Sequence, residues 1–488
     1  MDSKEQDISL SHDNPPLNEA LEGSESASDA SLLRRIDVRI LPIMFLAYFL
    51  QFLDKVCLNY ANVMGIQDDL SMSGNDFSWL ATAFFIAYAV AEIPQGFLLQ
   101  KYPVTKVLGG NIFIWGVMLC CSAAVQNYAG LLALRILLGT AEAVIAPALT
   151  IYTSMWYTPV EATPRFGLWY CGLGTGQILG GLISFGAQHA SSSQSFSGWR
   201  IMFLVIGLAN ITVSLLVLAL LPVSPETASF LSADAKSHIS HRLRSATTGG
   251  LGAKTFHAPS VFTTLADAQT WLLCLLTILV TIPSGLIVTF SSILIKGFGY
   301  TSKESALLNT PSGVVSILSI LSSTYAVAKG YPRWLAIDLL LVPTLLGSCL
   351  MSFLPESNQA GVLVGIYMVN TTVAPLILIF AWTGANFKGY TGKVTGCAFI
   401  SAGFSIANII GPQTFQAKDA PDYLPAKVTI VVANAVAIVV STALRVLYGR
   451  RNRKAESAGG LVSAKSWMEK RLNKQVEGEG EAGFRYVY

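Results

Sequence analysis

The chain has 488 residues, of which 52% are hydrophobic and only 12% are charged, and its formal net charge is +3. Soluble globular proteins contain about 25% charged residues, so this chain lacks half of the charge expected of that class. The composition excludes a cytosolic enzyme, a nucleic-acid-binding protein and a disordered scaffold, and it indicates a protein that crosses a membrane several times. The cysteines and histidines show no metal-ligand spacing, so we expect neither a metal site nor a disulfide framework.

The first segment, residues 1–33, is predicted to be a disordered cytosolic tail. It is rich in acidic residues and serines and contains the pair Pro15 and Pro16, a composition typical of solvated chain. No basic stretch followed by an apolar core is present, so the segment does not look like a cleaved signal peptide. The first apolar segment should therefore remain in the mature protein.

Twelve apolar stretches follow, each close to the roughly 20 residues that a helix needs to cross a bilayer. They predict an N-terminal six-helix bundle over 34–222, a cytosolic central loop over 223–265, a C-terminal six-helix bundle over 266–448 and a cytosolic tail over 449–488. The predicted spans are 40–63, 77–99, 107–125, 129–153, 166–188, 200–221, 269–292, 304–326, 333–353, 359–381, 394–416 and 426–447.

The placement of lysine and arginine predicts the orientation. Of the 32 basic residues, 19 lie near the membrane on the side that carries both termini and the central loop, and 5 lie on the other side. Because positive residues accumulate on the cytosolic side, we expect both termini to be cytosolic.

Four charged residues fall inside predicted spans, where an ionisable group is costly and usually functional. Asp54 and Lys55 lie in the first span, and Arg135 and Glu142 lie in the fourth. At about 1.5 Å of rise per residue, Asp54 and Arg135 reach similar depths, both within roughly 14 Å of the same end of their spans. Glu142 follows Arg135 by two helical turns, so both project from one face. We expect a compact cluster whose charges sum to zero.

The cluster allows two interpretations. It could be a structural network that pairs Asp54 with Arg135 and Lys55 with Glu142 and holds two helices in register. Buried ion pairs are poor stabilisers compared with apolar packing, so four such charges favour a second role. A carboxylate that enters a neutral cluster makes it net negative, and protonation of one acid restores neutrality, which would couple an anion to a proton.

At these residues the sequence resembles the anion:cation symporter family of the major facilitator superfamily, in particular its fungal branch of allantoate, nicotinate and other vitamin or carboxylate permeases. The similarity spans residues 34–412. The segments that carry it are Phe52–Lys55 (FLDK), Phe84–Tyr88 (FFIAY) running into Glu92–Pro94 (EIP), Ala133–Ala143 (ALRILLGTAEA), Pro225–Leu231 (PETASFL) and Ile295–Tyr300 (IKGFGY).

The resemblance implies an all-α membrane protein with the major facilitator fold, in which 12 transmembrane helices form two six-helix bundles around a central cavity. It also implies that Asp54 and Glu142 accept protons and that Lys55 and Arg135 receive the substrate carboxylate. Lys55 departs from the family, which commonly has arginine there, and lysine lacks the bidentate fork of arginine. A second departure is Gln100, which stands where the superfamily's GxxxD[RK] motif has an acid.

Further polar residues are candidates for the cavity wall. Tyr88 and Gln177 sit where the family tends to place substrate contacts, and Trp382, Asn386 and Asn408 could close the pocket from the C-terminal half. For each, the alternative is a helix–helix hydrogen bond or, for Trp382, an anchor at the membrane interface. Separately, the four-residue spacing of Gly172, Gly176 and Gly180 predicts a ridge of small residues on which two helices approach closely.

Together these features favour a proton-coupled symporter that imports a small organic anion by alternating access. The alternative is a proton-antiporting exporter of a drug-like compound or secondary metabolite, and a third class is a nutrient sensor that does not transport. No nucleophile–base or metal constellation indicates an enzyme. We expect a monomer in the plasma membrane, with a small organic anion and the lipid bilayer as partners, no nucleic acid, and the proton as coupling ion with no cofactor.

Overall fold

The computed structural model describes residues 15–191, 197–248, 258–355, 358–387, 389–419, 423–457 and 486–487. Within those residues the chain is helical and contains no β-strand. The α-helices are α1 (Pro15–Val63), α2 (Ile66–Asp69), α3 (Asp76–Lys101), α4 (Val104–Ser122), α5 (Tyr128–Glu142), α6 (Ile145–Trp156), α7 (Pro159–Tyr170), α8 (Gly172–Ser191), α9 (Gly198–Leu220), α10 (Ala233–Thr248), α11 (Ala258–Ala266), α12 (Ala268–Gly297), α13 (Ser302–Leu308), α14 (Thr310–Ala328), α15 (Arg333–Phe353), α16 (Gln359–Val369), α17 (Pro375–Asn386), α18 (Gly389–Gln413) and α19 (Leu424–Ser457). Short 3₁₀ helices cover Pro225–Thr227, Asn370–Val373 and Ala417–Asp419.

The twelve predicted spans are all found as helices. Eleven helical stretches in the described part of the chain are long and apolar enough to cross a bilayer. The remaining span, the fifth, consists of α7 and α8; it breaks at Cys171, and its α8 portion is rich in glycine and therefore less apolar. Spans four (α5 and α6), eight (α13 and α14) and ten (α16 and α17) also contain breaks.

Local sequence signals explain where several helices begin. Thr301 starts α13 with a capping box, in which its hydroxyl accepts from the Glu304 backbone N–H at 3.2 Å and its own N–H donates to the Glu304 carboxylate at 2.8 Å. Asn127 caps α5 by accepting from the Gly130 N–H at 2.8 Å. Such caps satisfy backbone donors that a helix N-terminus leaves free.

The helices form two groups of six, as predicted. In the first half α1 packs on α8, α3 on α5 and α4 on α9; in the second half α12 packs on α18 and α19, and α15 packs on α16 and α19. The halves meet mainly where α3 lies along α18, where α8 lies along α14, and where α1 passes α12. This arrangement leaves a space between the halves that α1 and α12 both border.

Small residues permit the closest helix approaches, and the predicted glycine ridge is confirmed. A Cβ atom on Gly172 would lie 2.8 Å from the Phe49 backbone nitrogen on α1, and one on Gly176 would lie 3.1 Å from the Leu53 nitrogen. On another face of α8, a Cβ atom on Gly174 would lie 2.5 Å from the Gly313 carbonyl oxygen of α14. The fifth span thus contacts its own half and the other half at backbone distance.

The bundle has two ends, which we call the terminal face and the far face. At the terminal face the Arg165 guanidinium bridges to Asp37 at 2.7 Å, and Arg451 pairs with Asp267. At the far face Asp69 accepts from the Ser197 hydroxyl and from the Trp199 indole N–H. The beginning of span one and the end of span twelve therefore share a face.

Three predicted irregular segments contain helix. Helix α1 begins at Pro15, so the described part of the predicted disordered tail is helical; its alanine, leucine and glutamate residues favour helix, and extending a helix from a stable span costs little. The central loop contains α10 and α11. In the predicted C-terminal tail, α19 continues to Ser457, and Tyr486 and Val487 pack against the terminal face.

The outer surface of the bundle is apolar. Leu215, Leu339 and Val439 are among many large hydrophobic side chains that the fold leaves exposed along its spans. In water such a surface would promote aggregation, whereas lipid tails accept it without penalty. The chain is therefore a multi-pass membrane protein.

Candidate functional site

The four charged residues of spans one and four meet in the middle of the first half. The Lys55 ammonium lies 3.2 Å from the Glu142 carboxylate, and the Arg135 guanidinium lies 3.7 Å from the Asp54 carboxylate. These are the two pairs that the structural interpretation of the cluster predicts. Gly139, between Arg135 and Glu142 on α5, lies so close to α3 that a Cβ atom there would be 2.3 Å from the Phe84 carbonyl oxygen.

The acids and the cations of this cluster differ in exposure. Asp54 and Glu142 are 0% exposed, Arg135 is 3% exposed and Lys55 is 16% exposed. Beyond its ion pair, Arg135 has two guanidinium nitrogens, Nε and Nη2, whose N–H groups have no hydrogen-bond partner among the described residues. A buried guanidinium donor without a partner is costly, so this geometry suits a ligand that accepts hydrogen bonds.

A central cavity between the halves borders the cluster. The space between its wall residues is about 800 Å³, a figure that includes the part open to solvent. Lys55 and Arg135 belong to its wall, whereas the two fully buried acids lie behind them. The other wall residues of the first half are Tyr48, Phe52, Leu58, Ala81, Phe84, Phe85, Tyr170 and Leu173.

Aromatic rings surround the cations. The Lys55 ammonium lies 5.8 Å from the centre of the Phe84 ring and 5.7 Å from that of Tyr88, and the Arg135 guanidinium lies 5.5 Å from that of Phe203. Rings at such distances attract a cation through their electron-rich faces. The cations are therefore held in place by rings as well as by the acids, and an apolar portion of a ligand would find flat surfaces beside them.

The second half supplies a neutral wall. Its residues are Val280, Thr281, Ser284, Gly285, Val288, Thr289, Thr372, Val373, Leu376, Phe404 and Asn408. None of them is charged, and their polar groups are hydroxyls and one amide. The Phe404 ring meets Phe85 of the first half with ring centres 6.4 Å apart, so aromatic contact crosses the cavity.

The weaker sequence candidates are distributed over different places. Asn408 is part of the cavity wall, and Tyr88 lies beside Lys55. Gln177 lies outside the cavity wall, where its amide donates to the Asn370 side chain at 3.1 Å and joins the two halves. Trp382 and Asn386 also lie outside the wall, at the terminal face, because α17 runs toward that face and Trp382 is ten residues, about 15 Å of helix, beyond Thr372.

Sequence reasoning missed much of the cavity wall, although the spacing holds a signal for part of it. Tyr48, Phe52 and Lys55 stand at positions i, i+4 and i+7 of α1, which places them on one helix face. Thr281, Ser284 and Val288, at positions i, i+3 and i+7, likewise share one face of α12. Extending the helix face from a charged residue would have identified Tyr48 and Phe52.

Hydrogen bonds between the halves close the far face above the cavity. The Asn59 amide donates to the Ser291 hydroxyl at 2.8 Å, and the Asn309 amide donates to the Tyr60 hydroxyl at 3.2 Å. Gln413 donates to the Thr82 hydroxyl at 2.8 Å. We call this set the far-face seal; the sequence analysis did not predict it, because single polar residues in apolar spans carry no partner information.

Comparison with known proteins agrees with this architecture. Residues 44–412 match the Major Facilitator Superfamily. The allantoate permease of Saccharomyces cerevisiae is 34% identical over 440 residues, covering 88% of this chain and 81% of the permease. The thiamine pathway transporter of the same yeast is 35% identical over 458 residues, covering 94% of this chain and 86% of the transporter.

Solved structures show the same fold at low sequence identity. A proton:xylose symporter superposes with a TM-score of 0.64 at 12% identity, covering 83% of this chain and 94% of the symporter. An inward-facing bacterial homologue of the human lysosomal transporter Spinster gives a TM-score of 0.60 at 16% identity, covering 84% of this chain and 96% of its own. With two six-helix halves around a central cavity and a match over most of its length, the chain is a membrane transporter that belongs to the Major Facilitator Superfamily.

Proposed function

We propose that this transporter is a proton-coupled symporter that imports a small organic carboxylate by alternating access between its two halves. The observation that carries the proposal is the order of the charges. Lys55 and Arg135 form part of the cavity wall, while Asp54 and Glu142 are fully buried behind them. An anion in the cavity therefore meets the cations first.

Binding proceeds by exchange of ionic partners. The substrate carboxylate accepts from Lys55 and from the unpaired N–H groups of Arg135. Each cation then shares its charge between the substrate and an acid, and the site as a whole becomes net negative in a low-dielectric space. A proton on Glu142 or Asp54 restores neutrality, so the carboxylate and the proton enter together.

Release of the proton reverses the sequence. When the site opens to the opposite side and the acid deprotonates, the carboxylate of Glu142 or Asp54 again competes for its cation and displaces the substrate. The far-face seal must break in the alternate state, since Asn59, Tyr60 and Thr82 contact the other half through it. Because the terminal face carries the excess of basic residues, we assign it to the cytosol and the far face to the outside.

A substrate panel under a pH gradient tests the proposal. Cells that express the chain are offered radiolabelled allantoate, nicotinate, a dicarboxylate and, as a cationic control, thiamine, at acidic and neutral external pH. We expect a monocarboxylate to accumulate faster at acidic pH and a protonophore to abolish accumulation, while thiamine is excluded by the two cations of the wall. Carboxylate uptake that is indifferent to pH and protonophore, or proton-driven efflux, would overturn the proposal.

A further inference from the structure

A second built site lies outside the cavity, at the terminal face of the C-terminal half. It holds Tyr486 and Val487 of the same chain. The Asn452 amide donates to the Tyr486 carbonyl at 3.0 Å, and its oxygen accepts from the Tyr486 N–H at 3.0 Å. The Asn386 amide donates to the Val487 carbonyl at 2.9 Å, and its oxygen accepts from the Val487 N–H at 2.7 Å.

These four bonds resemble the hydrogen bonds that an extended strand forms with its two neighbours in a β-sheet. In a β-ladder, one residue exchanges both its N–H and its C=O with a partner on one side, and the next residue faces the other side. Asn452 on α19 and Asn386 on α17 supply those two sides with side-chain amides in place of neighbouring strands. The Trp382 indole N–H adds a further bond to the Val487 carbonyl at 2.8 Å.

An aromatic contact selects the first residue. The Tyr486 ring stacks on Tyr448, with ring centres 5.2 Å apart and planes 12° apart, and its hydroxyl accepts from Arg451 at 3.3 Å. Arg451 is itself fixed by Asp267, at the start of α12. The segment therefore contacts spans ten and twelve directly. It is connected to the start of span seven through the Arg451–Asp267 ion pair.

With the segment in place, the groups that receive it are buried. Trp382 is 0% exposed, Asn386 is 1% exposed and Asn452 is 7% exposed. Removing the segment would leave the Trp382 N–H and both ends of the Asn386 amide without these bonds, and a buried polar group without a partner is unfavourable. The Val487 side chain takes no part in any of the polar contacts that hold it.

We propose that the terminal face of the C-terminal half is a docking site for the chain's own Tyr486–Val487 segment. The site recognises an aromatic residue followed by a residue that it reads only through the backbone. Docking fastens the end of span ten to span twelve within one half of the transporter. None of the contacts that hold the segment involves a wall residue of the central cavity, so the docking site is distinct from the proposed substrate site.

Hydrogen–deuterium exchange of the full chain tests the proposal, with one chain per lipid nanodisc so that the segment can reach only its own molecule. We expect the amides of Tyr486 and Val487 to exchange at least about tenfold more slowly than in a free peptide of the same sequence. Asn452→Ala should release the Tyr486 amide and Asn386→Ala the Val487 amide. Val487→Ala and the exposed-site control Arg453→Ala should retain the protection, because neither removes a bond that holds the segment.

Tyr486→Ala provides a second arm that leaves the membrane bundle intact, and it should release both amides even if an asparagine variant fails to fold. Tyr486→Phe should keep most of the protection, since the ring stacking survives. Exchange of the wild-type amides at the free-peptide rate would overturn the proposal. So would protection that survives both asparagine variants, or protection that appears only with several chains per disc.

Discussion

The two walls of the central cavity differ in chemistry although they come from halves of the same architecture. The first half contributes Lys55 and Arg135, backed by Asp54 and Glu142, and the second half contributes hydroxyls and the Asn408 amide. The ionic wall can hold a charge and exchange a proton, whereas the neutral wall can only form ordinary hydrogen bonds and apolar contacts. Coupling and selectivity should therefore be separable by mutation.

The difference between the two walls also predicts which substrates the cavity should prefer. A cavity with cations on one side and no charge on the other suits a molecule with one anionic group and an apolar or neutral body. A second carboxylate would face the neutral wall and lose its hydration without a countercharge, which is costly in a low-dielectric site. We therefore expect monocarboxylates to be preferred over dicarboxylates of similar size.

The largest expected effect is the loss of the cation at position 135. Arg135→Ala removes a cation of the cavity wall, the proposed partner of the substrate carboxylate, and leaves Asp54 buried without its ion-pair partner. A hydrogen bond to a charged group contributes about 1.5–3 kcal/mol, so losing two of them from the bound carboxylate should lower uptake at least about 100-fold. Initial rates of radiolabelled carboxylate uptake, normalised to the amount of protein at the membrane, measure the effect.

A double variant separates folding from binding in this experiment. Asp54→Asn combined with Arg135→Ala removes the uncompensated charge, so expression and thermal stability should recover while uptake stays absent. Arg453→Ala, at an exposed arginine of the terminal face, is the matched control and should transport normally. Normal uptake by Arg135→Ala would show that the ionic wall does not hold the substrate.

The next effect concerns coupling. Glu142→Gln removes one of the two proposed proton acceptors and leaves Lys55 with a neutral partner, so we expect the substrate to bind without a proton. We expect exchange of internal for external substrate to persist, while accumulation driven by the pH gradient falls at least about tenfold and uptake loses its increase at acidic external pH. Counterflow assays and pH-jump uptake in proteoliposomes distinguish the two activities, with Glu226→Gln at an exposed site as control. Accumulation that still follows the pH gradient would assign coupling elsewhere.

The fold and the ionic wall could be predicted from the sequence because each depends on a feature that is rare for energetic reasons: long apolar stretches, and charged residues within them. Twelve apolar stretches have few structural solutions in a bilayer, and charges inside them stand out against their surroundings. Helical spacing then placed Arg135 and Glu142 on one face, and the structure confirms both ion pairs with Asp54 and Lys55.

The neutral wall and the far-face seal were harder to predict because serine, threonine and asparagine are common in membrane helices and bond to their own backbone. Asn408 was predicted to lie at the cavity and does, whereas Trp382 and Asn386 look similar in sequence and instead hold Val487. Trp382 and Asn386 lie away from the cavity because α17, which follows the 3₁₀ segment Asn370–Val373, runs toward the terminal face. The periodicity of the sequence does not predict that course.

An intermediate effect should follow from exchanging the type of cation. Lys55 presents a single ammonium beside Glu142, whereas arginine presents a planar fork that binds a carboxylate through two bonds. If Lys55→Arg adds one net hydrogen bond, worth about 1 kcal/mol, KM for the carboxylate should fall about fivefold with transport retained. Lys55→Ala should lose most uptake. An unchanged KM in Lys55→Arg together with full activity in Lys55→Ala would remove Lys55 from the binding site.

The smallest effect should come from the neutral wall, and it distinguishes two asparagines of the same half. Asn408→Ala removes a cavity amide, so KM should rise about two- to tenfold, to an extent that depends on the substrate's uncharged end, while the dependence of uptake on external pH stays unchanged. Asn386→Ala should leave KM unchanged, because its amide bonds to Val487 at the terminal face. KM measured for two monocarboxylates that differ only away from the carboxylate, at two pH values, gives both results. A change in pH dependence caused by Asn408→Ala would mean that the neutral wall takes part in coupling, and the two walls would then act as one.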